Sequence, residues 1–292
     1  MTQFNIPDTD YMYPGHVGCP GCGATIAMKF ALKGLGDKTI MVIPACCWAI
    51  IAGPHPQTAL KVPILHTAFE TAGAASSGVR AALDMKNDTE TTVVAWAGDG
   101  GTFDIGLQSL SGAAERNEDF IYVCYDNEAY MNTGVQRSSS TPYGARTTTT
   151  PGQDWKQTRK KNIVEALAAH RIPYAATASI AFPEDMIQKF QKAKEMKGGT
   201  RFIHVFATCP SGWRVSSEMS VKIARLAVQS NFFPLYEVEH GVKYSLNYKG
   251  DRPVEDYLKA QGRFRHLTDA DIKEIQKMTD EDLGLLMRKA EI

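Results

Sequence analysis

The chain lacks an excess of charge of either sign: Lys plus Arg and Asp plus Glu number 32 each. That balance removes the bulk electrostatic case for a nucleic-acid or acidic-membrane partner. It also lacks any uninterrupted apolar run near the roughly 20 residues that span a bilayer. Met1 to Gly15 is polar and proline-bearing, without a basic stretch leading into an apolar one. No secretory leader is therefore expected, and the cytoplasm is the default compartment. Cysteine is too sparse for a disulfide scaffold, at six in 292 residues, and a C-x-x-C pair among them points to a metal or redox site. A disordered chain is excluded as well, because 43% of residues are hydrophobic.

What is present reads as an α/β protein: a parallel sheet with helices on both faces. Thr39 to Pro44, Thr92 to Ala97 and Phe120 to Tyr125 are short, apolar and β-rich with no clean alternation, and Arg201 to Ala207 alternates only partly. Such runs, separated by helical patterns, predict strands buried on both faces. Phe103, Leu107, Leu110 and Ala114 share a helical face, as do Ile163, Leu167 and His170. A further helix is expected near Ser216 or Ser217 with Ile223 and Leu226 inward, and two short tail helices from Thr268 and Thr279. Residues 1–232 are read as one cofactor-bearing domain, and 233–292 as an extension packing on it or on partner subunits. Asn132 to Lys161 has no helical or strand period, and an ordered loop of that length tends to be functional.

The central motif is Gly98-Asp99-Gly100-Gly101 at a strand end, with residues 101–126 intervening before Asn127 follows the next strand. In an open parallel sheet both points face the crevice beyond the carboxyl ends of the strands. The glycines let backbone approach a ligand, and the helix from about Thr102 directs free N–H groups at an anion. Asp99, the Asn127 side-chain oxygen and a backbone carbonyl near Ala129 are hard ligands suited to Mg2+ bridging phosphates. Gly-Asp-Gly alone is a tight turn. The full strand, turn, helix, strand and Asn order matches the way thiamine-diphosphate enzymes hold their cofactor. Those enzymes need a second, pyrimidine-binding domain, for which this chain has no room, so another polypeptide is expected to supply it.

Cys19 and Cys22 form the C-x-x-C, while Cys46, Cys47 and Cys209 follow predicted strands on the same rim as Asp99. By count, four thiolates suit a 4Fe–4S cluster or zinc equally. A decarboxylating cofactor nearby favours the cluster, because oxidation needs an electron exit. Spacing alone leaves Cys46 and Cys47 unresolved. Cys124, inside a strand, reads as a small buried hydrophobe.

Together these segments resemble the β subunit of pyruvate:ferredoxin oxidoreductase and its relatives, over roughly His16 to Phe264. The carriers are G-H-x-x-C-P-G-C-G, H-T-A-F-E-T-A-G-A from His66 and G-D-G-G-T-F-D-I-G from Gly98. They continue with Y-D-N-E-A-Y-M-N-T-G-x-Q from Tyr125, S-T-P-Y-G-A from Ser140 and C-P-S-G-W from Cys209. The resemblance implies Cys19, Cys22 and Cys209 as cluster ligands. Relatives usually read Thr-Gly-Cys where this chain has Ala45-Cys46-Cys47, which selects Cys47. It further implies Asp99, Asn127 and the Ala129 carbonyl on Mg2+, with Asn132 facing the substrate and donating to the oxyanion formed on attack. The implied reaction is oxidative decarboxylation of a 2-oxoacid, pyruvate with coenzyme A first, giving acetyl-CoA, CO2 and reduced ferredoxin. The implied partners are a pyrimidine-binding α-type subunit, a ferredoxin-like δ-type subunit, a γ-type subunit and ferredoxin. Relatives often place Glu two residues after the third cysteine, where this chain has Ala49, and many carry a bulky aromatic near Arg146. Both departures leave room for another acid, such as oxalate or a branched-chain or aromatic one, with or without coenzyme A. Outside the motifs, Arg159, Lys160 and Lys161 are expected to form a solvated face, and His66 to be a core histidine. His16 and His55 receive no catalytic role. A zinc-binding assembly subunit would have no use for the Asp99–Asn127 pairing. A non-oxidative thiamine carboligase would leave the four cysteines unexplained.

Overall fold

A computed structural model describes residues 5–291. Helix α1 (Gly23–Leu35) leads into β1 (Thr39–Pro44), α2 (Cys47–Ile51), β2 (Ile64–Thr67), α3 (Ala72–Met85) and β3 (Thr92–Gly98). A π-helical turn at Gly100–Ile105 precedes α4 (Leu107–Glu115) and β4 (Ile121–Asp126). After a long irregular segment come α5 (Ile163–Ala168), β5 (Tyr174–Ser179), α6 (Pro183–Glu195), β6 (Arg201–Phe206) and α7 (Pro210–Trp213). The chain closes with α8 (Ser220–Gln229), β7 (Leu235–Glu239), β8 (Lys243–Tyr248), α9 (Val254–Lys259) and α10 (Asp269–Lys289).

All eight strands form one sheet in the order β2-β1-β3-β4-β6-β5-β7-β8. The first six are parallel, and β7 and β8 add antiparallel at the far edge. Successive side chains of a strand point to opposite faces, and here both faces are covered. Val94 and Trp96 of β3 and Val123 and Tyr125 of β4 pack with α1, α6 and α8. Their alternates Val93, Ala95, Tyr122 and Cys124 pack with α3, α4 and α5. Two-sided burial explains why these strands read as continuous apolar runs.

The expected fold class is therefore observed, and β1 has the expected ends. Several local expectations need correcting. The tail holds a single 21-residue helix from Asp269 with a Thr268–Asp271 capping box, together with the short α9. Thr279 does not cap a second helix; its hydroxyl donates to the Ile275 carbonyl one turn back (2.9 Å). His170 lies beyond the end of α5, where its Nε2 meets Ser111 Oγ at 3.1 Å. Leu226 is only half-buried, whereas Ile223 is fully inside. His66 is exposed rather than core, because β2 is an edge strand with little covering it. No helix among the described residues is long and apolar enough to cross a membrane.

Candidate active site

The chain steps from β1 outward to β2, then returns past β1 to β3, so the strand order reverses between β1 and β3. Ligands of open α/β sheets bind at such a reversal, at the carboxyl ends of the strands. Here β1 ends into Cys46 and Cys47, β3 into Asp99 and β4 into Asn127. Asp99, Asn127, Ala129 and Asn132 join Cys46 and Cys47 around one cavity of about 110 Å3. Asn132 is solvent-exposed at its mouth.

The oxygen side of this cavity has an unusual arrangement. The Asn127 amide admits two orientations: in one, its Oδ1 lies 3.0 Å from Asp99 Oδ1 and 2.9 Å from the Ala129 carbonyl. In the other, Nδ2 donates to both oxygens over the same distances. Neighbouring ligands of an octahedral Mg2+ with ~2.1 Å bonds stand ~3.0 Å apart, so with the amide oxygen turned inward both of its separations match that ion's shell. Burial, reinforced by the charge of Asp126, pushes the Asp99 carboxyl well above the usual range. A dication would relieve that cost.

Beneath Asp99 lie two more buried acids, and each has a basic partner. Lys160 Nζ sits 2.5 Å from Asp126 and 3.1 Å from Glu128, and Arg263 Nη2 reaches Glu128 at 2.5 Å. Asp99 makes none of these ion pairs. Burial opposes ionisation of Asp126, yet Lys160 and the His204 hydrogen bond hold its carboxyl well below the usual range. Burial likewise opposes the Lys160 charge, but Asp126 and Glu128 raise its affinity for the proton. The expected solvated face at 159–161 is thus overturned at Lys160, whose acids come from the distant β4 end.

The long segment 132–161 is an ordered loop, and sequence reasoning missed what orders it. Three consecutive serines each bond an aspartate: Ser138 Oγ donates to Asp99 (2.5 Å), Ser139 Oγ to Asp104, and Ser140 Oγ to Asp126 (2.6 Å). The serine run itself was the available signal. Its acceptors, being remote in sequence, were not readable. The glycines also divide by role. A Cβ on Gly100 would fall 2.4 Å from the Tyr130 ring, so that glycine makes room for an aromatic rather than for a phosphate. The helix expected from Thr102 begins as a π turn, with Gly106 N–H bonding the Gly101 carbonyl at 2.9 Å. Such turns are frequent at functional sites.

The sulfur side is built from three segments tied to one another. Gly23 N–H donates to the Thr208 carbonyl at 2.9 Å, and a Cβ on Gly23 would stand 2.4 Å from Thr208 N. Only glycine therefore brings Cys22 this close to Cys209. Trp48 Nε1 donates to the Ala24 carbonyl at 3.0 Å, which fastens the helix of Cys47 to that of Cys22. Burial pushes the Cys47 thiol up to about 12, with Cys46, Cys22, Cys209 and Asp99 each adding to the rise. Burial similarly takes Cys209 to about 11, with Cys22 and Cys19 contributing. A Cβ on Gly98 would meet the Tyr125 hydroxyl at 3.4 Å and Cys46 Cβ at 3.8 Å, so Cys46 and Tyr125 share one wall of the cavity. Among the described residues no three His, Cys, Asp or Glu side chains are close enough to grip one metal ion. Cys124 is fully buried in the core, as expected.

Residues 46–205 match the thiamine pyrophosphate enzyme, C-terminal TPP binding domain, family. Ketoisovalerate oxidoreductase subunit VorB of Pyrococcus furiosus is 52% identical, over 99% of this chain and 96% of that one. Pyruvate synthase subunit PorB of Methanothermobacter thermautotrophicus is 50% identical, over 94% and 96%. This chain is a 2-oxoacid:ferredoxin oxidoreductase β subunit. The β subunit also shares its fold with 2-oxoglutarate:ferredoxin oxidoreductase of Magnetococcus marinus, with a TM-score of 0.59 at 22% identity, covering 76% of this chain and 82% of that one.

Proposed function

We propose that this β subunit binds thiamine diphosphate through Mg2+ held by Asp99, Asn127 and the Ala129 carbonyl. The observation that carries the reading is the convergence of the Asn127 side-chain amide on Asp99 Oδ1 at 3.0 Å and on the Ala129 carbonyl at 2.9 Å. We further infer that Cys19, Cys22, Cys47 and Cys209 hold a 4Fe–4S cluster. A cluster spreads its thiolates over separate irons, which suits thiols that converge without closing on a single ion. Bound thiamine diphosphate would supply the electron sink for decarboxylation, and the cluster would supply the one-electron exit.

The chain's own residues then have defined tasks. Asp99 and Asn127 anchor the cation, with Ser138 orienting Asp99. Asn132, at the cavity mouth, donates to developing negative charge on the substrate oxygen, a contribution worth ~3 kcal/mol. Cys46 walls the cavity beside Tyr125. Residues 1–232 carry all of these groups, and 233–292 packs on that domain.

The substrate in this reading is a 2-oxoacid: pyruvate with coenzyme A, yielding acetyl-CoA, CO2 and reduced ferredoxin. The 52% identity to a ketoisovalerate oxidoreductase subunit favours a second reading, the branched-chain acid. The partners are α-type, γ-type and ferredoxin-like δ-type subunits in the cytoplasm. Anaerobic turnover of the purified complex with a panel of 2-oxoacids, followed by ferredoxin or viologen reduction with and without coenzyme A, tests all of this. Coenzyme A-dependent reduction from pyruvate is expected. Preference for 3-methyl-2-oxobutanoate would establish the second reading, and no reduction from any oxoacid by a fully loaded complex would overturn both.

A further inference from the structure

The cation loop is held from behind by the far end of the chain. Glu128 lies between Asn127 and Ala129 with a φ of 66°, a left-handed conformation that carries a steric penalty for a side chain. This twist leaves the Asn127 side-chain amide 2.9 Å from the Ala129 carbonyl and 3.0 Å from Asp99 Oδ1. The Glu128 side chain is absent from the cavity wall that its two neighbours line. It points the other way and is fully buried. The conformation therefore persists because other groups hold it.

Those groups converge on Arg263. The Glu128 N–H donates to Asp126 (2.8 Å), and the Glu128 carbonyl accepts from Thr141 Oγ1 (2.7 Å). The Glu128 carboxylate receives Lys160, which is shared with Asp126, and Arg263, which is not shared with another acid. The Asn127 carbonyl accepts from Trp213 Nε1 at 2.8 Å. The Arg263 guanidinium lies 3.9 Å from the centre of that same Trp213 ring. Arg263 is itself fixed by Gln261 and by the Tyr257 hydroxyl (2.9 and 3.0 Å). One buried guanidinium thus supports the turn at two points: the Asn127 backbone through Trp213, and Glu128, which joins Asn127 to Ala129, through its carboxylate.

We propose that Arg263, acting through Glu128 and Trp213, is a positioning residue that sets the Asn127–Ala129 loop for divalent-cation binding. The inference rests on the Mg2+ reading above. It gives the 233–292 extension a role in the cofactor site that it does not touch. Without Arg263, Glu128 would keep only a lysine already engaged by Asp126, and the left-handed turn would lose its fixed anchor. The loop would then sample conformations in which the Asn127 amide no longer meets both Asp99 and the Ala129 carbonyl.

The test uses the complete purified complex, stripped with chelator and titrated with Mn2+ in the presence of thiamine diphosphate, with free Mn2+ followed by electron paramagnetic resonance. Arg263→Met is expected to raise the binding midpoint about tenfold or more with the number of sites unchanged. Arg263→Lys, which keeps the charge but not the two-sided reach, is expected to fall between that variant and wild type. Glu128→Gln, which removes the charge but preserves shape, is expected to shift the midpoint in the same direction and carries the test if Arg263→Met does not assemble. A merely structural arginine would lower the number of competent sites and leave the midpoint of the survivors alone. Asp99→Asn separates the two inferences. If it abolishes binding while Arg263→Met and Glu128→Gln bind as wild type, the positioning role is wrong and the cation reading stands. If Asp99→Asn binds as wild type, the cation reading itself is wrong, and the positioning role goes with it.

Discussion

The two sides of the cavity are prepared to different degrees. On the oxygen side, Asp99 and Asn127 follow adjacent parallel strands, and buried hydroxyls and ion pairs hold them within 3.0 Å of each other. On the sulfur side, the thiols come from a turn before α1, a helix start and a strand end, joined through backbone contacts of Gly23 and Ala24. The lesson is a division of labour. Backbone topology brings the segments with the hard ligands side by side, because neighbouring strands are parallel, and buried side-chain contacts then fix them at ionic spacing. Soft ligands from separate segments are only brought into range, and under the proposed cluster reading metal–sulfur bonds would do the rest.

The sharpest way to break this comparison is a crossed pair of variants. Asp99→Asn should weaken cation-dependent retention of thiamine diphosphate by more than ~100-fold, since changes to the groups around ligands alone cost 10–100-fold. Its visible iron–sulfur absorption should persist. Cys209→Ser should do the reverse, losing the share of iron and visible absorption that belongs to this one cluster while thiamine diphosphate stays bound in equilibrium dialysis. If either variant lost both properties, the two sides would not be independent. Ser138→Ala probes preparation of the oxygen side more gently. Loss of its bond to Asp99 should weaken cation binding by roughly 10–100-fold, and an unaltered midpoint would mean that the strands alone suffice.

Gly23→Ala examines the sulfur side. The added methyl must displace Thr208 backbone, costing ~1–3 kcal/mol in thermal unfolding and lowering cluster content per chain. Stability and iron content equal to wild type would show that the contact is dispensable. The mildest handle is Lys156, which braces the serine segment by donating to the Ser139 carbonyl at 3.2 Å. Burial, with Arg137 and Lys160 adding like charge, lowers its pKa from 10.5 to about 8. Below pH 8 the folded protein must bury this ammonium, and that cost is relieved as pH rises from about 8 to 10.5. Lys156→Met removes the titration. Its stability relative to wild type should therefore fall across that range by on the order of 1 kcal/mol, and a difference independent of pH would refute the assignment.

Much of the frame was legible because local chemistry and global fold agree. Thr39 to Pro44 is β1 from end to end, since two-sided burial writes itself as an apolar run. Asp99 and Asn127 were placed on one rim by parallel-strand logic alone. By contrast, β2 has four residues including His66 and Thr67, and β5 is mostly alanine, serine and threonine. Neither carries a strand signal, and both exist because β1 and β6 offer edges to pair with. The ion pairs at Lys160 and the serine–aspartate bonds were illegible for a different reason. Charges and hydroxyls look solvated in a sequence until the fold brings an acid from elsewhere. Thr279 misled in the opposite sense, because a Thr-Asp pair announces a cap only when the preceding residues are not already helical.

The contact between Arg263 and Glu128 also has a temporal side. The two are separated by 135 positions. At synthesis rates of 5–20 residues per second, Glu128 emerges roughly 7–27 s before its partner exists. During that interval the strands that carry Asp99 and Asn127 can form and pair, but the turn at Glu128 lacks its last support. On the proposed positioning role, assembly of the cation site would be deferred until translation has passed Arg263. A truncated chain would fold much of the sheet yet present a slack loop to the ion.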